Sequence, residues 1–200
     1  MGIYQLKRSA EVERKTKETE IRLTLNLDGR GLSSIDTGIP FLDHMFVLMA
    51  AHGFMDLTVK AKGDTEIDYH HTVEDLGICM GKAINQALGE RKGIKRYGQA
   101  MVPMDEALAN VVIDISNRPY LSYKVPLEGS LTGKFDVSIL KEFFRALVHH
   151  AGITMHIELL SGNDAHHVAE AVFKAFARAL DQASQREERL DDVPSTKGLL

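Results

Sequence analysis

The chain has 200 residues, 44% of them hydrophobic and 26% charged, with a formal net charge of -4. That is enough apolar material for a core in one domain or two small ones. The acidic balance gives no field for nucleic acid, and the RKGIKR run at 91–96 is a local basic patch suited at most to a small anion.

One cysteine, Cys79, excludes an internal disulfide and a thiolate-rich metal site. No apolar run approaches the roughly 20 residues of a membrane span. The opening MGIYQLKRSAEVERKTKETE lacks a signal-peptide core, and Leu6 stands where a myristoylation signal needs Ser or Thr, so a cytoplasmic protein is expected.

Taken in chain order, ETEIRLTLNLDG alternates Ile21, Leu23, Leu25 and Leu27 with polar residues, as a strand with one buried face does. PFLDHMFVLMAAHG predicts a helix: Pro40 suits its first turn, Phe41, Met45, Leu48 and Met49 fall at helical spacing, and Gly53 is the expected stop. DLTVKAKGD reads as a strand. From about Tyr69 the positions Val73, Leu76, Met80, Ala83, Ile84, Ala87 and Leu88 describe a long helix ending at Gly89.

The order then recurs. A hairpin-like pair, ALANVVIDIS and YLSYKVPL with Asn117 to Pro119 between, precedes DVSILKEFFRALVHHAG, a helix with Asp136 as N-cap and Gly152 as stop. ITMHIELL is a strand placing Ile153, Met155, Ile157 and Leu159 on one face. A last long helix spans roughly 166–186. The expectation is an α+β fold made of two similar half-domains, 1–92 and 93–200, with mostly antiparallel sheets and the helices packed on one side.

Both long helices open on the same motif, DYHHTVED at 68–75 and DAHHVAEA at 164–171. With nine histidines and 14 glutamates, HHxxE is expected by chance on the order of 0.03 times. A single histidine pair at a helix start is more often a solvated face than a metal site. Duplication in matching contexts reverses that. At about 100° per residue the two histidines diverge and the glutamate lies between them, so each imidazole suits a different ion. Two divalent cations per site is the economical reading. Imidazole and carboxylate without thiolate suit Mn, Zn, Fe or Co, and a ligand set richer than four per ion leans toward Mn.

Superimposing the repeats adds one residue. His70 follows His44 by 26 residues and His166 follows Glu142 by 24, so Glu142 occupies the place of His44. His149 and His150 lack a following carboxylate, precede a helix stop and read as structural. His156 is a spare candidate below Glu142, and His52 is either a helix ending or a substrate contact.

FLDHM, HHTVED, RYG, PMDEALA, SNRPY, HHVAEAVFKAFARAL and PSTKG, in this order from about Arg14 onward, resemble the imidazoleglycerol-phosphate dehydratase family of histidine biosynthesis. The resemblance leaves no room for the phosphatase domain fused to some members. It implies a tandem-repeat α+β subunit in a 24-subunit particle with two Mn ions in each site between subunits. One ion would take His44, His71, Glu74 and His167, and the other His70, Glu142, His166 and Glu170. Some members have histidine at position 142 and glutamine at position 48, where this chain has Glu142 and Leu48.

The implied reaction dehydrates D-erythro-imidazole-glycerol phosphate to imidazole-acetol phosphate through a metal-bound imidazolate and a diazafulvene. Glu18 is the implied acid/base and Asp105 a partner for a substrate hydroxyl. Glu170 and His71 count among the implied catalytic groups, and His44, His52, His70 and Glu74 among those touching substrate. Arg96, Arg118, Lys174, Ser195 and Lys197 match the family's phosphate pocket, where guanidiniums offer paired donors. Two rivals use the same motifs: a dinuclear phosphohydrolase and a non-enzymatic metal-binding shell.

Overall fold

The computed structural model describes residues 8–200, so Leu6, on which the acylation argument turns, lies outside the described residues. The first half runs β1 (Ser9–Lys15), β2 (Thr19–Asn26), β3 (Ser33–Asp36), α1 (Pro40–Gly53), β4 (Asp56–Gly63) and α2 (His70–Leu88). The second runs β5 (Tyr97–Met104), β6 (Ala107–Asp114), β7 (Tyr120–Lys124), a two-strand ribbon of β8 (Leu131–Thr132) and β9 (Phe135–Asp136), a 3-10 turn (Val137–Ile139), α3 (Leu140–Ala151), β10 (Thr154–Ser161) and α4 (Ala165–Ser184).

Each half builds one four-stranded sheet, in the order β1-β2-β4-β3 and β5-β6-β10-β7. The inner pairs are antiparallel, and in each sheet one edge strand lies parallel to its neighbour, β3 to β4 and β7 to β10. A parallel neighbour needs a crossover. Helices α1 and α3 supply it.

The alternation in β2 is what seats the first sheet: Ile21, Leu23 and Leu25 are buried while Glu20, Arg22 and Thr24 face water. Both sheets turn their apolar faces inward onto the helices, α2 lying on β1 and β2 and α4 on β5 and β6. Across the middle, α1 packs on α4 and α2 on α3. The shared core is aromatic where the halves meet: Phe46 of α1, Phe143 of α3 and Phe173 of α4 are fully buried, with ring centroids 5.4–6.4 Å apart. Burying each such ring is worth about 1.5–3 kcal/mol.

Helices α2 and α3 approach more closely than side chains normally allow. A Cβ added at Gly77 would run into the Phe143 carbonyl and one at Gly81 into the Leu147 carbonyl.

Several sequence expectations change. The segments β6 and β7 do not form a hairpin, because β10 inserts between them; the hairpin is β5–β6. Strand partners so distant in sequence leave no trace in local pattern. Asp136 caps the 3-10 turn through Ser138 N (2.9 Å), and the α-helix starts only at Leu140. Gly53 is the last residue of α1 rather than its left-handed stop, which is Phe54 at φ 52°. Its lack of a side chain instead admits Met55 and the Ala177 backbone, since a Cβ there would lie 2.6 Å from Met55 Cε and 3.2 Å from Ala177 O. Leu42 and Phe46 of α1 are buried, whereas Phe41 and Leu48 are only partly so.

Candidate metal centre

Helix starts present the histidines. Asp164 is the N-cap of α4, its Oδ1 accepting from His166 N (2.8 Å) and His167 N (3.0 Å), and Asp68 Oδ1 accepts from His70 N (2.7 Å) at the start of α2. The acidic residue of each D-x-HHxxE motif thus satisfies orphan amides of the first turn. The histidine rings are left half-exposed; of the two glutamates, Glu74 is partly open and Glu170 is buried.

The tightest grouping joins the halves. Glu170 Oε1 lies 3.0 Å from both His44 Nε2 and His166 Nε2, although His44 is on α1 and its partners on α4. Among the described residues, these three form the one group of at least three such side chains whose ligand atoms all fall within 4.8 Å of one another. Phe41 meets the His166 ring edge-on at 5.5 Å and limits its swing.

Glu170 is buried, and burial by itself would raise its pKa. Hydrogen bonds from Lys174 Nζ (2.6 Å), His44 and His166 outweigh that and hold the carboxyl at about 2. It is an anion at any ordinary pH.

The other motif residues are more open. His70 Nε2 stands 4.0 Å from Glu74 Oε2. His71 Nδ1 bonds Asp64 Oδ2 at 2.9 Å and lies 3.9 Å from Glu18 Oε2, in the β1–β2 turn. His167 Nδ1 bonds Glu106 Oε2 at 2.7 Å, and its Nε2 lies 3.8 Å from Asp105 Oδ2, in the β5–β6 turn. These carboxylates raise the pKa of both imidazoles, Asp64 chiefly for His71 and Glu106 for His167. The His167 bond, with the Asp164 amide second, lowers Glu106 to about 2.

Glu142 lies on α3 beside Arg145, 2.5 Å away, yet its buried Oε2 has no aligned hydrogen bond. Within one chain, then, His44 groups with His166 and Glu170. Cys79 is buried in α2, where desolvation pushes its thiol up to about 11, and it lies outside the His44, His166 and Glu170 group.

The implied phosphate residues fall into two places. Arg96 is buried; its Nε and Nη2 donate to Asp114 at 2.7 and 3.1 Å and its Nη1 to the Pro194 carbonyl at 2.7 Å. Arg118 is exposed and approaches the same Asp114 at 3.5 Å. Arg96 thereby ties the tail that carries Ser195 and Lys197 to β6; Lys197 N donates to Ser195 Oγ (3.2 Å). Lys174 sits apart, on Glu170.

His52 lines a groove of about 270 Å³ with Phe54, Gln99 and Arg178, and burial first, then Lys174 and Arg178, lowers its pKa. Leu48 packs against the core. His156 faces out beside Tyr120, with ring centroids 5.7 Å apart. A larger groove of about 580 Å³, lined by residues such as Tyr123, Pro126, Ser138 and Lys141, contains no histidine.

Sequence reasoning missed Asp64, Glu106 and Asp114. Asp64 and Glu106 sit in turns, where no periodicity points to them. Asp114 had a faint signal, as an acidic residue closing an otherwise apolar strand.

The fold and site define a duplicated α+β protein whose two long helices each open on an imidazole–carboxylate group, the donor types that divalent cations take. Residues 37–180 match the model of the family described as imidazoleglycerol-phosphate dehydratase. The chain is 56% identical over 193 residues to the protein of that name from Pelobacter propionicus, covering 96% of this chain and 99% of that one. It is 54% identical over 195 residues to that of Geobacter metallireducens, covering 98% and 100%. A crystal structure of the Staphylococcus aureus dehydratase superposes with a TM-score of 0.80 at 40% identity, covering 89% of this chain and 99% of that one. One from Pyrococcus furiosus gives 0.82 at 39%, covering 94% and 100%. The chain belongs to the imidazoleglycerol-phosphate dehydratase family and is an enzyme of that dehydratase class.

Proposed function

We propose that this protein dehydrates D-erythro-imidazole-glycerol phosphate to imidazole-acetol phosphate in histidine biosynthesis, at a site that holds two divalent cations, Mn by preference. The observation that carries the reading is the meeting of His44, His166 and Glu170 from opposite halves of the chain around one small volume.

The residues fit such ions. The donors are imidazole and carboxylate, and behind His71 a buried oxygen, Asp64 Oδ1, has no hydrogen-bond partner. His44, His166 and Glu170 would hold one ion, and His70, His71, Glu74, Glu142 and His167 would complete the pair. When bound, the ions supply Lewis acidity that makes the substrate ring easier to deprotonate.

The chain's own groups do the rest. Glu18, exposed beside His71, moves the proton from C2, and Asp105, beside His167, holds a substrate hydroxyl. Loss of the C3 hydroxyl with that proton leaves an enol that becomes the ketone. Lys174 places positive charge next to Glu170, and Arg118 with the Arg96-anchored tail offers donors for the phosphate.

Among the described residues of one chain, His70, Glu74 and Glu142 do not close a cluster, which supports a site completed by a neighbouring copy and an assembly of many subunits, 24 by family resemblance. The outer face of the second sheet exposes Tyr97, Met101 and Tyr120, suited to subunit contact. No helix of the described residues is long and apolar enough to cross a membrane, in keeping with a cytoplasmic location.

Incubating the Mn-loaded protein with imidazole-glycerol phosphate tests the reading. A ketone product supports it. Free phosphate would instead mark a phosphohydrolase, and no turnover a metal-binding shell.

A further inference from the structure

The second histidine of each motif is held from behind. His71 Nδ1 and His167 Nδ1 each bond a carboxylate, at 2.9 and 2.7 Å, so the proton of a neutral ring sits on Nδ1 and Nε2 keeps its lone pair.

We infer that Asp64 and Glu106 are positioning residues, fixing the tautomer and ring orientation of His71 and His167 so that each presents Nε2 to a metal ion. The inference rests on the two-cation reading above. A carboxylate behind a ligating imidazole also raises its basicity, and such partners govern metal affinity as strongly as many direct ligands.

Two features argue against incidental surface pairing. The carboxylates do not occupy matching places in the repeat: Asp64 follows β4, whose counterpart β10 is followed by Gly162, and Glu106 lies in the β5–β6 turn. Duplication alone would not deliver both contacts, yet each half has one on the same ring nitrogen. Asp64 is enclosed and Glu106 is braced. Asp64 has a side chain only 15% exposed. Glu106 accepts from Asp164 N at 3.1 Å through its other oxygen, while its carbonyl accepts from Ser161 Oγ at 3.1 Å, so the cap of α4 and the orienter of His167 form one unit.

The test uses the full-length protein stripped of metal and titrated with MnCl2, free Mn being read by electron paramagnetic resonance. Asp64→Ala and Glu106→Ala should each weaken Mn binding about 10–100-fold, with a metal-free urea transition that stays cooperative and shifts only by the hydrogen bonds removed. Asp64→Asn and Glu106→Gln retain a carbonyl acceptor for the Nδ1 proton and should fall between parent and alanine. Should an alanine variant fail to fold, the drop in its amide counterpart decides. Parent-like affinity throughout the series, while His71→Asn and His167→Asn lose Mn, would overturn the positioning role and leave the metal site standing. A parent that takes up no Mn would instead remove the reading beneath it.

Discussion

In the second half, Glu170 is buried, its side chain 8% exposed, and it receives hydrogen bonds from Lys174, His44 and His166. In the first, Glu74 has a side chain 39% exposed and reaches only His70, at 4.0 Å. The strand order is the same in both, so the fold does not cause the difference. Lys174 lies four residues after Glu170, and the residue four after Glu74 is Ile78. His44 faces one cluster; its counterpart Glu142 is paired with Arg145. The second motif closes into a cluster by drawing on His44 of the other half, whereas the first leaves its histidines and Glu74 apart.

The largest effects would show whether both halves are needed. His71→Asn and His167→Asn should each lower kcat/KM by at least about 1,000-fold, near 4 kcal/mol of transition-state stabilisation, with metal content and particle mass falling together. Full metal occupancy in both variants would refute their assignment as ligands.

Next comes the closed cluster itself. In metal-free protein, Glu170→Ala strands Lys174 and should cost about 3 kcal/mol in urea unfolding. Glu74→Ala should stay within about 0.5 kcal/mol, as for an exposed pair. Equal losses would erase the contrast.

Lys174→Ala should raise KM about tenfold or more, roughly 1.4 kcal/mol of binding, with Mn content held at the parent level by elemental analysis. An unchanged KM removes Lys174 from substrate binding and leaves it as the counter-charge of Glu170.

The mildest change gives both halves a histidine. Glu142→His should alter stability by under about 1 kcal/mol. Its sign with pH is set by the ligand: an imidazole must lose a proton near about pH 6.5 before it binds metal, whereas a carboxylate has done so by about 4.3. Mn uptake in the variant should therefore weaken as pH falls from 8 to 6 more steeply than in the parent. Absence of Mn at pH 8 would break the equivalence of positions 44 and 142.

Much of this was legible in the residues. Pro40 and the spacing of Met45 and Met49 place α1, and the duplicated HHxxE places the starts of α2 and α4 within a residue. Strand β3 escaped because SSID is short, polar and mostly exposed, and β5 because Gly98 and Pro103 interrupt its alternation. The insertion of β10 between β6 and β7 is a long-range pairing that no local pattern encodes. At the site, residue types were readable and their grouping was not. His44 and Glu170 are 126 positions apart, and only packing of α1 on α4 brings them together.

The repeated strand order also bears on descent. If two identical chains had to supply the two clusters, any substitution at one position would appear at its mirror site in the same instant. Joined end to end in a single polypeptide, the copies can drift separately. Here His44 and Glu142 differ, and Lys174 has Ile78 as its counterpart. Such asymmetry is open to a fused gene and closed to a symmetric pair.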